Sequence, residues 1–121
     1  MRVLNAKDYQ ERWIIVFSDS NKWRAGIYIP ENNSLEEIII LERHNRPELF
    51  TLLEGEMILV VSEDGVMIDE VPMRQGQIYI VEEWHNAYIP RGKTGKALVI
   101  EADDIETEYM FIKPAVRCRD Q

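Results

Sequence analysis

The chain is poor in the residues that most often carry chemistry. Its 121 residues hold two histidines, His44 and His85, and one cysteine, Cys118. A lone thiol excludes an internal disulfide and offers no second sulfur for a zinc pair. Cys118 also stands among charged residues three positions from the end, where no catalytic role is expected. Basic residues are outnumbered 14 to 22 by acidic ones, for a formal charge of −8. Nucleic acid and anionic membrane surfaces both need a basic footprint, so neither is an expected partner. No apolar run exceeds five residues. That excludes a transmembrane helix and a signal-peptide core, and the expected location is the cytoplasm.

What is present reads as β structure. A 45% hydrophobic and 30% charged composition is ordinary for a globular chain. Short β-rich runs at 13–17, 23–29, 35–42, 49–54, 57–62, 66–71, 77–81, 86–89, 97–101 and 109–112 alternate with Gly-, Asn- and Pro-containing turns. Many short strands at this spacing predict an all-β sandwich or barrel. Asp64-Gly65 between two such runs predicts a two-residue type I′ hairpin. The triplet at 38–40 predicts a strand covered on both faces, and 6–12 is weakly helical.

Side-chain alternation assembles a candidate site. On a strand running through "IIILERH", Ile38, Ile40, Glu42 and His44 share one face, and Ile39, Leu41 and Arg43 the other. After Pro47, Glu48, Phe50 and Leu52 share a face of the next strand. If the isoleucines face an interior, Glu42 and His44 enter it near its mouth, where Glu48 can meet them. His85, after "GQIYIVEEW", has a similar setting.

These residues resemble a known family. His44-x3-Glu48-x6-Gly55 is similar to the first cupin motif, and 76–85 to the second, whose histidine is His85. The similarity spans 38–101, about half the chain. It implies a cupin-type double-stranded β-helix, or jelly-roll barrel, as one domain over 1–121 with its barrel core at about 35–113. It also implies a metal site on His44, Glu48 and His85. Glu42 stands where cupins place their first histidine and becomes the fourth ligand. Two carboxylates and two imidazoles suit Mn, Fe, Ni or Zn.

Within the cupins, Glu42-Arg43-His44, Phe50 and Trp84-His85 look like the ureidoglycolate lyases. That resemblance implies cleavage of a small 2-hydroxy carboxylic acid to glyoxylate and urea. His44 and His85 would be base and acid, with Glu42 and Glu48 orienting them or sharing the proton transfers. It leaves the clamp for the substrate carboxylate unassigned, since Arg43 points away from His44 and Arg46 and Arg91 sit on turns. By family analogy a homodimer is expected, through 1–4 or 13–17. Another metal-dependent cupin enzyme (an oxygenase or isomerase) and a non-catalytic ligand-binding cupin remain the alternatives.

Overall fold

The computed structural model describes residues 1–112; Cys118 lies outside them. Ten strands form two antiparallel sheets. They are β1 (Trp13–Asp19), β2 (Trp23–Tyr28), β3 (Ile40–His44), β4 (Glu48–Gly55) and β5 (Ile58–Ser62). The rest are β6 (Asp69–Pro72), β7 (Tyr79–Val81), β8 (Trp84–Tyr88), β9 (Gly95–Ala102) and β10 (Thr107–Phe111). One sheet runs β1-β2-β9-β4-β7 and the other β10-β3-β8-β5-β6. Consecutive strands repeatedly cross between sheets, the pattern of a jelly roll. Among the described residues, no helix is long and apolar enough to cross a membrane.

Alternation explains both cores. Along β4, Glu48, Phe50 and Leu52 are buried while their neighbours are half-exposed. Phe50 and Leu52 join Leu59, Ala87, Ala97 and Val99 in a core between the sheets. A second cluster lies on the opposite face of the β3-β8-β5 sheet, where Leu41, Val60, Trp84 and Tyr88 pack against Leu35 and Ile38. Leu35, Ile38 and Leu41 have no exposed surface, and each such burial stabilises by roughly 1.5–3 kcal/mol.

That second cluster corrects three expectations. A strand over 35–42 does not form, because Leu35–Glu37 is a 3-10 turn and β3 begins at Ile40. The turn lays Leu35 and Ile38 over the outer face of the sheet. Ile38 therefore leaves the alternation that Ile40, Glu42 and His44 keep, and Ile39 is 53% exposed rather than covered on both faces. Trp84 likewise belongs to this outer cluster, capped by the Arg43 guanidinium 4.6 Å from its ring.

The Asp64-Gly65 hairpin is also wider than a type I′ turn. Gly65 has φ +81°, but Asp64 is not at positive φ, and β6 starts at Asp69. The Asp64 carboxylate accepts from the Val66 and Met67 N–H groups at 2.8 and 3.0 Å, and the Ser62 hydroxyl donates to the Met67 carbonyl. These side-chain bonds offer the backbone an alternative to a tight two-residue turn. Near the start of the chain, only Ala6–Asp8 forms a 3-10 turn. The ammonium of Lys96, itself 4% exposed, donates to the Ala6 and Tyr9 carbonyls at 2.7 Å. It thereby ties this segment to β9.

Candidate metal centre

Three consecutive features of the chain bring the site together. Glu42 and His44 share the inward face of β3, Glu48 opens β4 after the Pro47 turn, and His85 is the cross-strand partner of Glu42 on β8. All four line a cavity of about 340 Å³ between the sheets. The His44 and His85 ring centres are 5.2 Å apart. The four residues expected from the sequence therefore converge.

Glu48 is the hub. Its Oε1 lies 2.8 Å from His44 Nε2 and 2.9 Å from His85 Nε2. Glu42 Oε1 stands further out, at 3.5 and 3.8 Å from the same nitrogens, and its side chain is 41% exposed. Despite the short separations, His44 Nε2, His85 Nε2 and Glu48 Oε1 make no hydrogen bond of acceptable direction among the described residues. Buried polar atoms are rarely left so.

The outer nitrogens explain the arrangement. His85 Nδ1 is 2.9 Å from the Glu83 carbonyl, which can only accept, so Nδ1 carries the proton. In the neutral ring Nε2 is then a lone pair facing a carboxylate. His44 Nδ1 is held 2.8 Å from the Thr107 hydroxyl. Two imidazole nitrogens and a carboxylate oxygen turned on one another need a cation among them, a proton or a metal. A hydrogen-bond partner on the far ring nitrogen, Nδ1, is what orients a metal-binding imidazole. Ligand atoms close enough to share one ion come in two overlapping groups, Glu42, His44 and His85, and His44, Glu48 and Glu101, and carboxylate with imidazole suits a divalent ion.

Two further groups, Glu101 and Arg24, complete the centre. Glu101, 5% exposed, approaches Glu48 and accepts from Arg24 Nε and Nη2 at 2.7 and 2.6 Å. Burial, followed by the Glu48 charge, pushes the Glu101 carboxyl up to about 7 against the pull of Arg24. Burial opposes ionisation of Glu48 as well, but His44 and His85 overcome it and hold Glu48 well below the usual carboxylate range. For His44 burial is also the largest influence and lowers the pKa; the Glu42 and Glu48 carboxylates outweigh it and raise the ring to about 10. Arg43, Arg46 and Arg91 are not among the residues that line the cavity, and they pair outside it with Glu108, Asp104 and Glu37.

These shifts predict how metal and protons compete. His44 stabilises the metal-free fold fully below about pH 6.5, and that contribution is lost as pH rises through about 10. The Glu48 contribution is present above its ordinary value near 4.5 and is lost in acid. A bound metal replaces the His44 proton, so its advantage grows as pH rises. The difference in Tm between zinc-loaded and EDTA-treated protein should therefore widen from about pH 6 to about pH 8. A constant or narrowing difference would contradict the competition.

No protein-family model matches the chain, and no curated protein sequence does. Solved structures do. A cupin-2 domain protein from Shewanella frigidimarina aligns over 83% of this chain and 94% of its own, at 18% identity and a TM-score of 0.59. A double-stranded β-helix protein from Klebsiella pneumoniae aligns over 93% and 98%, at 14% identity and a TM-score of 0.66. The fold is that of the cupins. A third cupin-like match is the cobalt(II) form of HppE in complex with substrate, with 14% identity and a TM-score of 0.62 over 83% of this chain and 57% of that one.

Sequence reasoning missed Glu101, Arg24, Arg12 and Tyr28, all of which line the cupin cavity. The signal for Glu101 was available. It continues the inward alternation of Ala97 and Val99 along β9, where a carboxylate is out of place unless something binds it. Arg24 shares a face of β2 with Gly26 and Tyr28 in the same way. Gly26 lets the Trp13 indole lie against the strand, since a Cβ there would stand 2.2 Å from the ring.

Proposed function

We propose that this cupin is a divalent-metal enzyme acting on a small 2-hydroxy acid, with ureidoglycolate cleavage as the reaction. The observation that carries the metal is the meeting of three buried donor atoms, His44 Nε2, His85 Nε2 and Glu48 Oε1, outside hydrogen-bond geometry. The cavity's size and polar centre support a small substrate. The likeness of Glu42-Arg43-His44, Phe50 and Trp84-His85 to the ureidoglycolate lyases supports the hydroxy-acid class.

When bound, a divalent ion supplies Lewis-acid polarisation of the substrate's oxygens. The protein supplies the rest. Thr107 and the Glu83 carbonyl fix the two rings, and Arg24 with Glu101 steadies Glu48. Phe50 and Val99 form an apolar wall beside them. Glu42, the most exposed and most distant carboxylate of the centre, faces the space a substrate fills. Standing off the ring nitrogens at 3.5 and 3.8 Å and left outside the ion's own ligands, it takes the hydroxyl proton. The oxygen's electron pair then forms the C=O of glyoxylate as the C–N bond breaks, and the nitrogen leaves with that bond's electrons and receives from Glu42 the proton it took, which completes urea.

The test is glyoxylate release from ureidoglycolate by protein loaded in turn with zinc, manganese, iron and nickel. Glu42→Gln should lower the rate at least about 100-fold. Equal background from wild type and His85→Ala ends the lyase reading. Tight metal binding without glyoxylate release leaves the metal centre standing and moves the substrate elsewhere in the hydroxy-acid class.

A further inference from the structure

We infer that Arg12 and Tyr28 form the anion end of the cavity and grip the carboxylate of a ligand whose hydroxyl end faces His44, Glu48 and His85. The inference rests on the hydroxy-acid reading above and assigns the clamp that the sequence leaves open.

The cavity wall carries charges of both signs. It contains the carboxylates of Glu42, Glu48 and Glu101 and the guanidiniums of Arg12 and Arg24. Arg24 is committed, since two of its nitrogens hold the buried Glu101 carboxylate at 2.6 and 2.7 Å. Arg12 is held far more loosely. Its carboxylate neighbour is Glu31 at 3.6 Å, with the two side chains 61% and 77% exposed. A pair of that kind contributes about 0–1 kcal/mol and exchanges readily for a better-placed anion.

The stem of Arg12 is nevertheless fixed. Its carbonyl accepts the Ile29 N–H at 2.9 Å, and the next residue, Trp13, is the cross-strand partner of Tyr28. The guanidinium therefore rises from an anchored backbone beside the phenol. Tyr28 itself packs edge-on to Trp13 and Phe50, with ring centres 6.4 and 6.5 Å away. Burial raises its pKa, and the nearby Arg12 charge only partly opposes this. Tyr28 thus remains a neutral O–H donor at working pH. A planar guanidinium with a neutral hydroxyl beside it matches the two oxygens of a carboxylate. Arg12 and Tyr28 line the same cavity as the histidines, and the Phe50 ring stands between, 6.5 Å from the Tyr28 ring and 6.0 Å from the His85 ring.

Glycolate and its uncharged amide, glycolamide, test this. Each is titrated into the metal-free protein, followed by tryptophan fluorescence, and into the cobalt(II)-loaded protein, followed by the cobalt spectrum. Wild type should prefer glycolate. Arg12→Ala should weaken glycolate about 10-fold or more, erase the preference over glycolamide, and leave cobalt affinity unchanged. Arg12→Lys should restore part of the preference, since it keeps the charge without the fork. Tyr28→Phe should weaken glycolate about 3- to 10-fold. Equal glycolate affinity in wild type and Arg12→Ala overturns the clamp, as does a wild type indifferent between the two ligands. If cobalt fails to bind wild type, the metal reading falls, while the titration of the metal-free protein still decides the clamp.

Discussion

Glu48→Gln should lower zinc affinity by more than about 100-fold while leaving the barrel folded. Disturbing an outer-shell partner of a metal ligand commonly costs 10- to 100-fold, and Glu48 is closer to the centre than that. Its Oε1 lies within 3 Å of both imidazole Nε2 atoms. Glutamine keeps the volume, so the cavity wall is preserved, but it removes the negative charge shared by both rings. The metal-free protein offers a second readout. Glu42 and Glu48 together raise His44 to about 10, so the variant's His44 ring should titrate at a clearly lower pH by NMR. Competition against a chromophoric chelator measures the first effect. Zinc affinity within threefold of wild type would remove Glu48 from the metal set.

Gly95→Ala should destabilise the protein by about 3 kcal/mol, near the upper end for overpacked sites. A Cβ at Gly95 would lie 2.0 Å from the Glu56 carbonyl oxygen, and its cross-strand partner Gly55 would place one 2.0 Å from the Thr94 carbonyl. Both obstacles are backbone, so no side chain can swing aside, and β4 and β9 would have to part. Gly92→Ala is the control. It has φ +82° and nothing within 4 Å of an added Cβ, so it should cost only the left-handed backbone penalty of about 1–2 kcal/mol. Urea denaturation with an unchanged m-value measures both. Equal costs at the two glycines would mean that the strands do not approach as closely as described.

The legible part of this molecule is what alternation and turn spacing can carry. Glu42 and His44 read as a pair because two residues on one strand need only a period of two. Glu48 followed because Pro47 forces a turn and resets the alternation. The pairing of Glu42 with His85 is of another kind, because two strands 43 positions apart come together only through sheet topology. The second motif alone supplied it. Arg12 and Arg24 were illegible for a related reason. They reach the cavity from the residue before β1 and from β2, outside the 38–101 stretch that carried the resemblance. The strand over 35–42 failed because the Leu35–Glu37 turn carries Leu35 and Ile38 onto the outer cluster. An apolar triplet reads the same whether its members enter one strand or divide between a turn's exit and a strand's start. The type I′ turn failed because Asp64 and Ser62 spend their side chains on the backbone, a local competition that a dipeptide signal does not encode.

The Lys96 contact has a meaning for how the chain closes. The ammonium reaches backbone carbonyls 90 and 87 positions earlier, so it fastens a loop of almost the whole described chain. Closing such a loop costs configurational entropy that grows only as the logarithm of its length, so one strong buried clasp can offset much of it. The clasp also has a mechanical sense. Residues 6–9 sit on one side of it and Arg12 and Trp13 follow at once, while β9 runs from Lys96 to Glu101. One strand therefore tethers the rim of the cavity at one end and supports the floor of the metal centre at the other. The mouth and the floor are registered to each other by a single ammonium group.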